Sequence, residues 1–253
     1  MQVVILAGGL GTRLSEETVN IPKPMVTIGE DPILVHLMRY YASFGHTDFI
    51  IALGYKGYVV KEYFSNYLHH NSDLDIRLGE DTLEILSKPK ENWRIRLIDT
   101  GLETSTGGRL LRLRNYLDSE FLLTYGDGLS NVDLNALIAQ HSKTRTIGTV
   151  TAVRPPARFG SLVVSGTSVE NFSEKNPQDS GWINGGFFCF SKSICDYILD
   201  DFTALESSPL ERLVQESELS AFRHEGFWQP MDTLRDKRTL EALWQNGDAP
   251  WKN

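Results

Sequence analysis

Met1-Gln-Val-Val-Ile-Leu-Ala-Gly-Gly-Leu-Gly-Thr-Arg13 opens the chain, and its reading decides the fold. The apolar run at residues 3–6 is too short for an independent helix, and its β-branched residues Val3, Val4 and Ile5 favour a buried strand. That strand breaks into Gly8, Gly9 and Gly11, where backbone amides can approach a ligand with no Cβ in the way. Amides converging at the end of a parallel strand form an anion cradle, and Arg13 adds a fixed positive charge. The opening therefore predicts an α/β fold whose first strand feeds a phosphate-binding loop.

The segments that follow keep that rhythm. Pro32-Ile-Leu-Val-His-Leu-Met-Arg-Tyr-Tyr-Ala-Ser-Phe44 predicts a helix with Pro32 in its first turn, and Asp48-Phe-Ile-Ile-Ala-Leu53 a second buried strand. A helix is expected over residues 57–69, with Val60, Phe64 and Leu68 on one face. Strands are expected at 93–99 and 121–124, with a helix over 106–117 between them. This alternation implies a Rossmann-like, mostly parallel sheet with helices on both faces. Residues 73–89 interrupt it, reading as an inserted β-hairpin. Beyond residue 131 the pattern becomes β-rich: a helix at 132–141, strands at 147–153, 161–164, 169–172 and 183–190, helices at 191–199 and 209–215, and a last helix over 233–244. The simplest organisation is one domain, residues 1–253, with a nucleotide-binding half (1–130) and a second-substrate half (131–253).

Composition narrows the partners. A chain of 253 residues with 41% hydrophobic and 23% charged residues can bury a full core. Its net charge of −8 opposes general affinity for nucleic acid backbones, but leaves room for small phosphorylated ligands. Cys189 and Cys195 make no metal or disulfide pattern, and Cys189 is expected in the core. No signal peptide or membrane-spanning stretch is legible, so a cytoplasmic protein away from membranes is expected.

Several residues carry candidate chemistry. Gly9-Leu-Gly11-Thr-Arg-Leu14 lacks the third glycine of a dinucleotide fingerprint and the Gly-Lys-Ser/Thr of a P-loop. Lys23, between Pro22 and Pro24, is expected on a stiff, extended segment; alone it reads as an exposed loop lysine, but beside the glycine loop it could neutralise charge on a leaving group. Asp127 in Leu122-Leu-Thr-Tyr-Gly-Asp-Gly128 fits an Asp-Gly turn, but at the sheet edge that faces a ligand crevice, with a glycine on either side, a carboxylate suits Mg²⁺ better. Asp232 or Thr233 is a natural helix N-cap with Asp236 in the first turn, so Asp232 reads locally as a cap, and only the need for a second metal carboxylate raises it further. Glu174-Lys175 and Asn184-Gly-Gly186 either bind a second substrate or form an ion pair and a strand bulge. Arg109, in a first helical turn after Thr106-Gly-Gly108, is the arginine of that helix best placed for a site. The histidines have no metal or catalytic spacing.

Taken together, Ile5-Leu-Ala-Gly-Gly-Leu-Gly-Thr-Arg13, Lys23-Pro-Met25, Tyr125-Gly-Asp127, Glu174-Lys175 and Asn184-Gly-Gly186 resemble the sugar-1-phosphate nucleotidyltransferases. Gly54-Tyr-Lys-Gly-Tyr58, Thr106-Gly-Gly-Arg-Leu110, Arg158-Phe-Gly160 and Phe227-Trp-Gln-Pro-Met-Asp-Thr-Leu-Arg-Asp236 are similar to the glucose-1-phosphate cytidylyltransferase branch. The resemblance implies transfer of a cytidylyl group from CTP to α-D-glucose 1-phosphate, giving CDP-glucose and pyrophosphate. It implies that Leu6, Ala7, Gly8, Gly9, Gly11, Thr12 and Arg13 hold the nucleotide, joined by Thr106, Gly108 and Arg109. It places Lys23 at the α-phosphate and Mg²⁺ on Asp127 and Asp232. Tyr125, Glu174, Lys175, Asn184 and Gly185 fall around the sugar phosphate. A homo-oligomer is implied too, with the hairpin as a candidate contact. Two positions depart from the family pattern: Ile21 stands where a lysine is common, and Asn176 follows Glu174-Lys175 where a proline is usual.

Three rival functions remain at this stage: a nucleotidyltransferase for another sugar or base, a non-catalytic nucleotide-binding homologue, and a metal-dependent glycosyltransferase. The last is disfavoured because no Asp-x-Asp follows a core strand.

Overall fold

The computed structural model describes residues 1–9, 11, 14–155, 161–165, 168–173 and 181–252. The opening apolar run forms β1 (Gln2–Ala7), which lies between β4 (Asp48–Leu53) and β8 (Glu120–Tyr125), parallel to both. β7 (Arg94–Asp99) extends the sheet in parallel beyond β4. On the other side β13 (Ile183–Ser191) pairs antiparallel with both β8 and β10 (Gly148–Val153), and β14 (Leu219–His224) closes the edge parallel to β10. The order is β14-β10-β13-β8-β1-β4-β7, a seven-stranded sheet with a single reversed strand.

Alternation along each strand divides the core in two, because successive side chains point to opposite faces. Val3, Ile5 and Ala7 join Phe49, Ile51 and Leu53 on one face. There they pack against Ile33, Leu34 and Leu37 of α2 (Ile33–Ser43), Leu137 of α5 (Leu134–Thr144) and Leu240 of α7 (Leu234–Gln245). Val4, Leu6, Ile50 and Ala52 face the other way, toward Leu110 of α4 (Thr106–Arg112) and Leu213 of α6 (Ser208–Gln215). The expected helices on both faces are present. So is the hairpin, as β5 (Leu74–Arg77) paired with β6 (Thr82–Ile85). Outside the main sheet β2 (Thr27–Ile28) pairs with β3 (Asp31–Pro32) and β11 (Ser161–Ser165) with β12 (Ser168–Ser173), and α1 is the single turn Ser15–Thr18. Cys189 and Cys195 are free and buried.

Some expectations fail at the level of single elements. Pro32 precedes α2 in an extended conformation rather than entering it. α3 (Gly57–His70) buries Val60 and Tyr67, while Leu68 is 41% exposed. The helix expected over 106–117 ends at Arg112, where the Leu113 amide shares the carbonyls of Arg109 and Leu110 and the chain tightens into a 3-10 turn. A 3-10 turn, Lys192–Tyr197, also replaces the helix expected at 191–199. β14 was not anticipated: Leu219-Ser-Ala-Phe-Arg-His224 has no sustained alternation, and its partner β10 supplies the pairing.

Three buried histidines make stability pH-dependent. His36 donates from Nε2 to the Ile28 carbonyl and lies beside Trp251, whose indole N–H points at Nδ1. His141 is hydrogen-bonded to Thr149. Burial pulls down the pKa of all three, and for His46 burial together with the N-terminal charge takes it to about 4. A depressed histidine favours the native state fully above its unfolded value near 6.5, and that contribution is lost as pH falls toward the native pKa. Denaturant midpoints are therefore expected to fall steadily between pH 6.5 and 4, with His46 accounting for no more than about 3 kcal/mol. His46→Asn should flatten part of the slope, and a flat wild-type profile would contradict the assignment.

Candidate active site

The C-terminal ends of the parallel strands open onto a cleft of about 620 Å³, lined by Leu6, Ala7, Gly8, Gly9 and Gly11 on one side and by residues of β8 and β13 on the other. Lys23, Asp127 and Asp232 also line it. Lys23 does not sit on extended chain as expected: Pro22 is extended, and Lys23-Pro-Met25 closes into a 3-10 turn through Met25 N–H to the Pro22 carbonyl (2.8 Å). This turn carries the lysine over the sheet edge. Its Nζ lies 2.7 Å from Oδ2 of Asp127 and 2.7 Å from Oδ1 of Asp232.

Two short strands explain how aspartates 105 positions apart in the chain meet. β9 (Gly128–Ser130), just after Asp127, pairs with β15 (Trp228–Pro230), just before Asp232. Met231 N–H donates to the Asp127 carbonyl (2.8 Å) and ties the two loops at the site itself. Thr233, not Asp232, caps α7: it accepts from Asp236 N–H, and Asp236 completes a capping box. Asp232 is thereby left to face Lys23. Burial, the largest single influence, opposes the lysine's charge, but Asp127 and Asp232 outweigh it and raise the Lys23 pKa above its ordinary value.

Two carboxylates converging on one cation, in an open cleft beside the glycine loop, also fit a magnesium ion, which takes one or two carboxylates together with substrate oxygens. Asp127 and Asp232 are the residues that would hold it. Among the described residues no cluster of three or more His, Cys, Asp and Glu side chains offers another site.

Arg109 lines the cleft, yet its guanidinium is already engaged. It donates to the carbonyls of Gly8, Leu53, Gly101 and Leu102 and to the Thr100 hydroxyl, at 2.7–3.2 Å. Burial and the nearby Arg112 lower its pKa. The residue holds the end of β1 against two neighbouring loops, so its first-turn position serves the cradle from beneath. Gly108 does not line the cleft. A Cβ there would come within 2.2 Å of the Asp201 carbonyl oxygen. Gly108→Ala is accordingly expected to cost about 2 kcal/mol or more by forcing backbone apart, measured by urea unfolding; a loss under about 0.5 kcal/mol would show that the segment yields freely.

Tyr125, at the end of β8, donates its hydroxyl to Glu206 and accepts from Asn184 Nδ2 at 3.4 Å. Asn184 Oδ1 accepts from Gly186 N–H (2.8 Å), and the Gly185 carbonyl accepts from the Trp228 indole (2.7 Å). Tyr125, Asn184 and Gly185 thus share one wall of the cleft. Thr106 lines it as well, donating to Glu206 Oε2 at 2.6 Å. Glu206 and Trp228 are cleft residues that the sequence did not single out as ligand contacts. Thr12, Arg13, Glu174 and Lys175 lie outside the described residues, as does the Arg158-Phe-Gly160 motif.

The nucleotidyl transferase family pattern matches residues 2–232. A glucose-1-phosphate cytidylyltransferase of Salmonella typhi is 52% identical over 254 residues, covering 100% of this chain and 99% of that protein. Identity falls to 28% with a mannose-1-phosphate guanyltransferase of Schizosaccharomyces pombe, where the match covers 96% of this chain and 64% of the other. Among solved structures, HddC from Yersinia pseudotuberculosis superposes with a TM-score of 0.69 at 25% identity, over 96% of this chain and 99% of that one. A glycine-ended central strand, a lysine bridged by two aspartates and a match along the whole chain lead to one conclusion. The chain belongs to the nucleotidyl transferase family and groups with its glucose-1-phosphate cytidylyltransferases.

Proposed function

We propose that this enzyme joins CTP to α-D-glucose 1-phosphate, forming CDP-glucose and releasing pyrophosphate. The observation that carries the chemistry is the convergence of Lys23, Asp127 and Asp232 beside the glycine loop. The choice of nucleotide and sugar rests on the full-length similarity to the Salmonella typhi enzyme.

The reaction forms a bond between a phosphate oxygen of the sugar and the α-phosphorus of CTP, and breaks the bond from that phosphorus to the bridging oxygen of pyrophosphate. No protein nucleophile is required. The work consists of aligning two polyanions in line and neutralising the charge they bring. In this reading the glycine loop, with Leu6, Ala7, Thr12 and Arg13, cradles the nucleotide, Thr106 flanks it, and Arg109 keeps the loop in place. Lys23 neutralises charge at the α-phosphate and on the departing pyrophosphate. Tyr125, Asn184 and Gly185, with Glu174 and Lys175, receive the sugar phosphate. Mg²⁺, when held by Asp127 and Asp232, supplies further charge neutralisation at the phosphates.

No helix among the described residues is long and apolar enough to cross a membrane. We place the enzyme in the cytoplasm as a homo-oligomer, at the entry to CDP-linked deoxysugars of surface polysaccharides. Pyrophosphate release measured across CTP, UTP, dTTP, ATP and GTP, each with several sugar 1-phosphates, tests the substrate assignment. CTP with glucose 1-phosphate is expected to give the highest kcat/KM; strong turnover of another pair with none of this one would overturn it.

A further inference from the structure

Glu206 lies at the rim of the cleft, brought there by a stretch of chain with no regular structure. Residues 200–207 dock on the first turn of α4: Ser105 N–H donates to the Asp201 carbonyl (2.8 Å), Gly108 N–H to the Thr203 carbonyl (3.1 Å), and Leu205 N–H to the Thr106 hydroxyl (2.9 Å). Gly107 and Gly108 permit this approach, since a Cβ on either would fall 2.6 Å or less from backbone oxygens of Thr203 or Asp201. Arg112 pairs with Asp201 through two guanidinium nitrogens, at 2.8 and 2.5 Å, and clamps the outer side. The Glu206 carboxylate is then fixed from two directions, by Thr106 on the glycine-loop side and by Tyr125 on the β13 side.

A carboxylate only accepts hydrogen bonds, and each of its oxygens can accept more than one. Thr106 and Tyr125 use one position on each oxygen, so acceptor capacity toward the cleft remains. Phosphate is an unsuitable occupant for that position, because the charges repel. A hydroxyl suits it, since it donates to one group and accepts from another, and the Asn184 amide, hydrogen-bonded to the same Tyr125 hydroxyl, supplies a neighbouring donor.

We propose that Glu206 is a specificity-determining residue whose carboxylate accepts a hydrogen bond from a sugar hydroxyl of a bound substrate. This rests on the nucleotidyl-transfer reading, and two sources share the chemistry: the ribose of the nucleotide and the hexose of the sugar phosphate. A site that hydrogen-bonds a substrate hydroxyl favours that substrate over the analogue lacking it, because the charge-assisted bond is lost. The signature is therefore a ratio between substrate and deoxy analogue, which a merely structural role of Glu206 would leave unchanged.

The experiment compares wild type, Glu206→Ala and the isosteric Glu206→Gln in kcat/KM. CTP is set against 2′-deoxy-CTP and 3′-deoxy-CTP, and glucose 1-phosphate against its 2-, 3-, 4- and 6-deoxy forms. Wild-type turnover of the parent pair tests the proposed function on its own; if another pair is the substrate, the same ratios are taken with that pair and its deoxy analogues. Loss of Glu206 should lower kcat/KM for the hydroxylated substrate about 10- to 100-fold and leave one deoxy analogue almost unaffected. Which analogue it is identifies the hydroxyl and its source. Equal losses with every substrate, or no loss with any, would overturn the proposal. So would variants that keep the wild-type ratios but no longer prefer CTP over UTP, which would assign the carboxylate to the base amine.

Discussion

Lys23→Ala is expected to lower turnover by roughly 10²- to 10³-fold with the fold intact, while tightening the binding of a divalent cation in the absence of substrate by about tenfold. Both effects come from one geometry. The ammonium lies 2.7 Å from each aspartate and neutralises the very pair that a metal ion would use. Without it, the two carboxylates lose the cation they share, which favours an added one. In turnover the missing charge is felt at the phosphates. Circular dichroism, steady-state kinetics and calorimetric titration with Mn²⁺ read the three parts separately. Retention of turnover within about threefold would remove Lys23 from the charge-neutralising role, and unchanged Mn²⁺ affinity would show that lysine and metal do not compete. The elevated Lys23 pKa fixes the pH dependence. A raised lysine contributes fully below its ordinary value and loses that contribution only as pH rises through the higher native one, so between pH 6 and 9 the ion pairs stay intact.

Gly8→Ala is expected to be the most disruptive single methyl in the cradle. A Cβ at Gly8 would lie 2.2 Å from Cζ of Arg109 and 2.3 Å from its Nη1. A guanidinium at the end of a loose side chain would swing aside, but this one is 4% exposed and bound to five acceptors. Moving it strands a buried charge and takes a donor from the carbonyls of Gly101 and Leu102, while the Leu53 carbonyl keeps the amide and hydroxyl of Thr100. A loss of about 3 kcal/mol or more in unfolding free energy should follow. Activity should drop in parallel, because Gly8 lines the cleft and belongs to the loop proposed to cradle the nucleotide. A loss below about 1 kcal/mol, with normal kinetics, would mean that Arg109 has an alternative seat.

What could be read from sequence, and what could not, divides by the range of the interactions. β1 and β4 were legible because continuous β-branched and apolar runs leave no other arrangement for a strand buried on both faces. Lys23 stood out only beside the glycine loop, and Asp127 because glycines flank an acid at the end of an apolar strand. Their geometry was not legible: the turn at Lys23 depends on how Pro24 and Met25 pack, and the position of Asp232 on a pairing of β9 with β15 across 100 residues. Arg109 lines the cleft as its position suggested, but its bonds to the backbone could not be read from sequence. A basic residue in a helix's first turn looks the same whether it meets a ligand or the backbone of its own fold. Glu206 was hidden altogether, since Leu205-Glu-Ser-Ser208 has no local signature and its position comes from the docking of residues 200–207 on Gly107 and Gly108.

The reversed strand β13 has a consequence for synthesis on the ribosome. Its residues 183–191 separate β8, made from residues 120–125, from β10, made from residues 148–153. A nascent chain that has emerged through β8 can assemble four parallel strands, but its newest strand then presents Phe121, Leu122 and Leu123 along an open edge. Some sixty further residues must leave the exit tunnel before β13 covers it. During that interval the half-built sheet is a template for any other extended chain, and chaperone engagement during translation should be concentrated there.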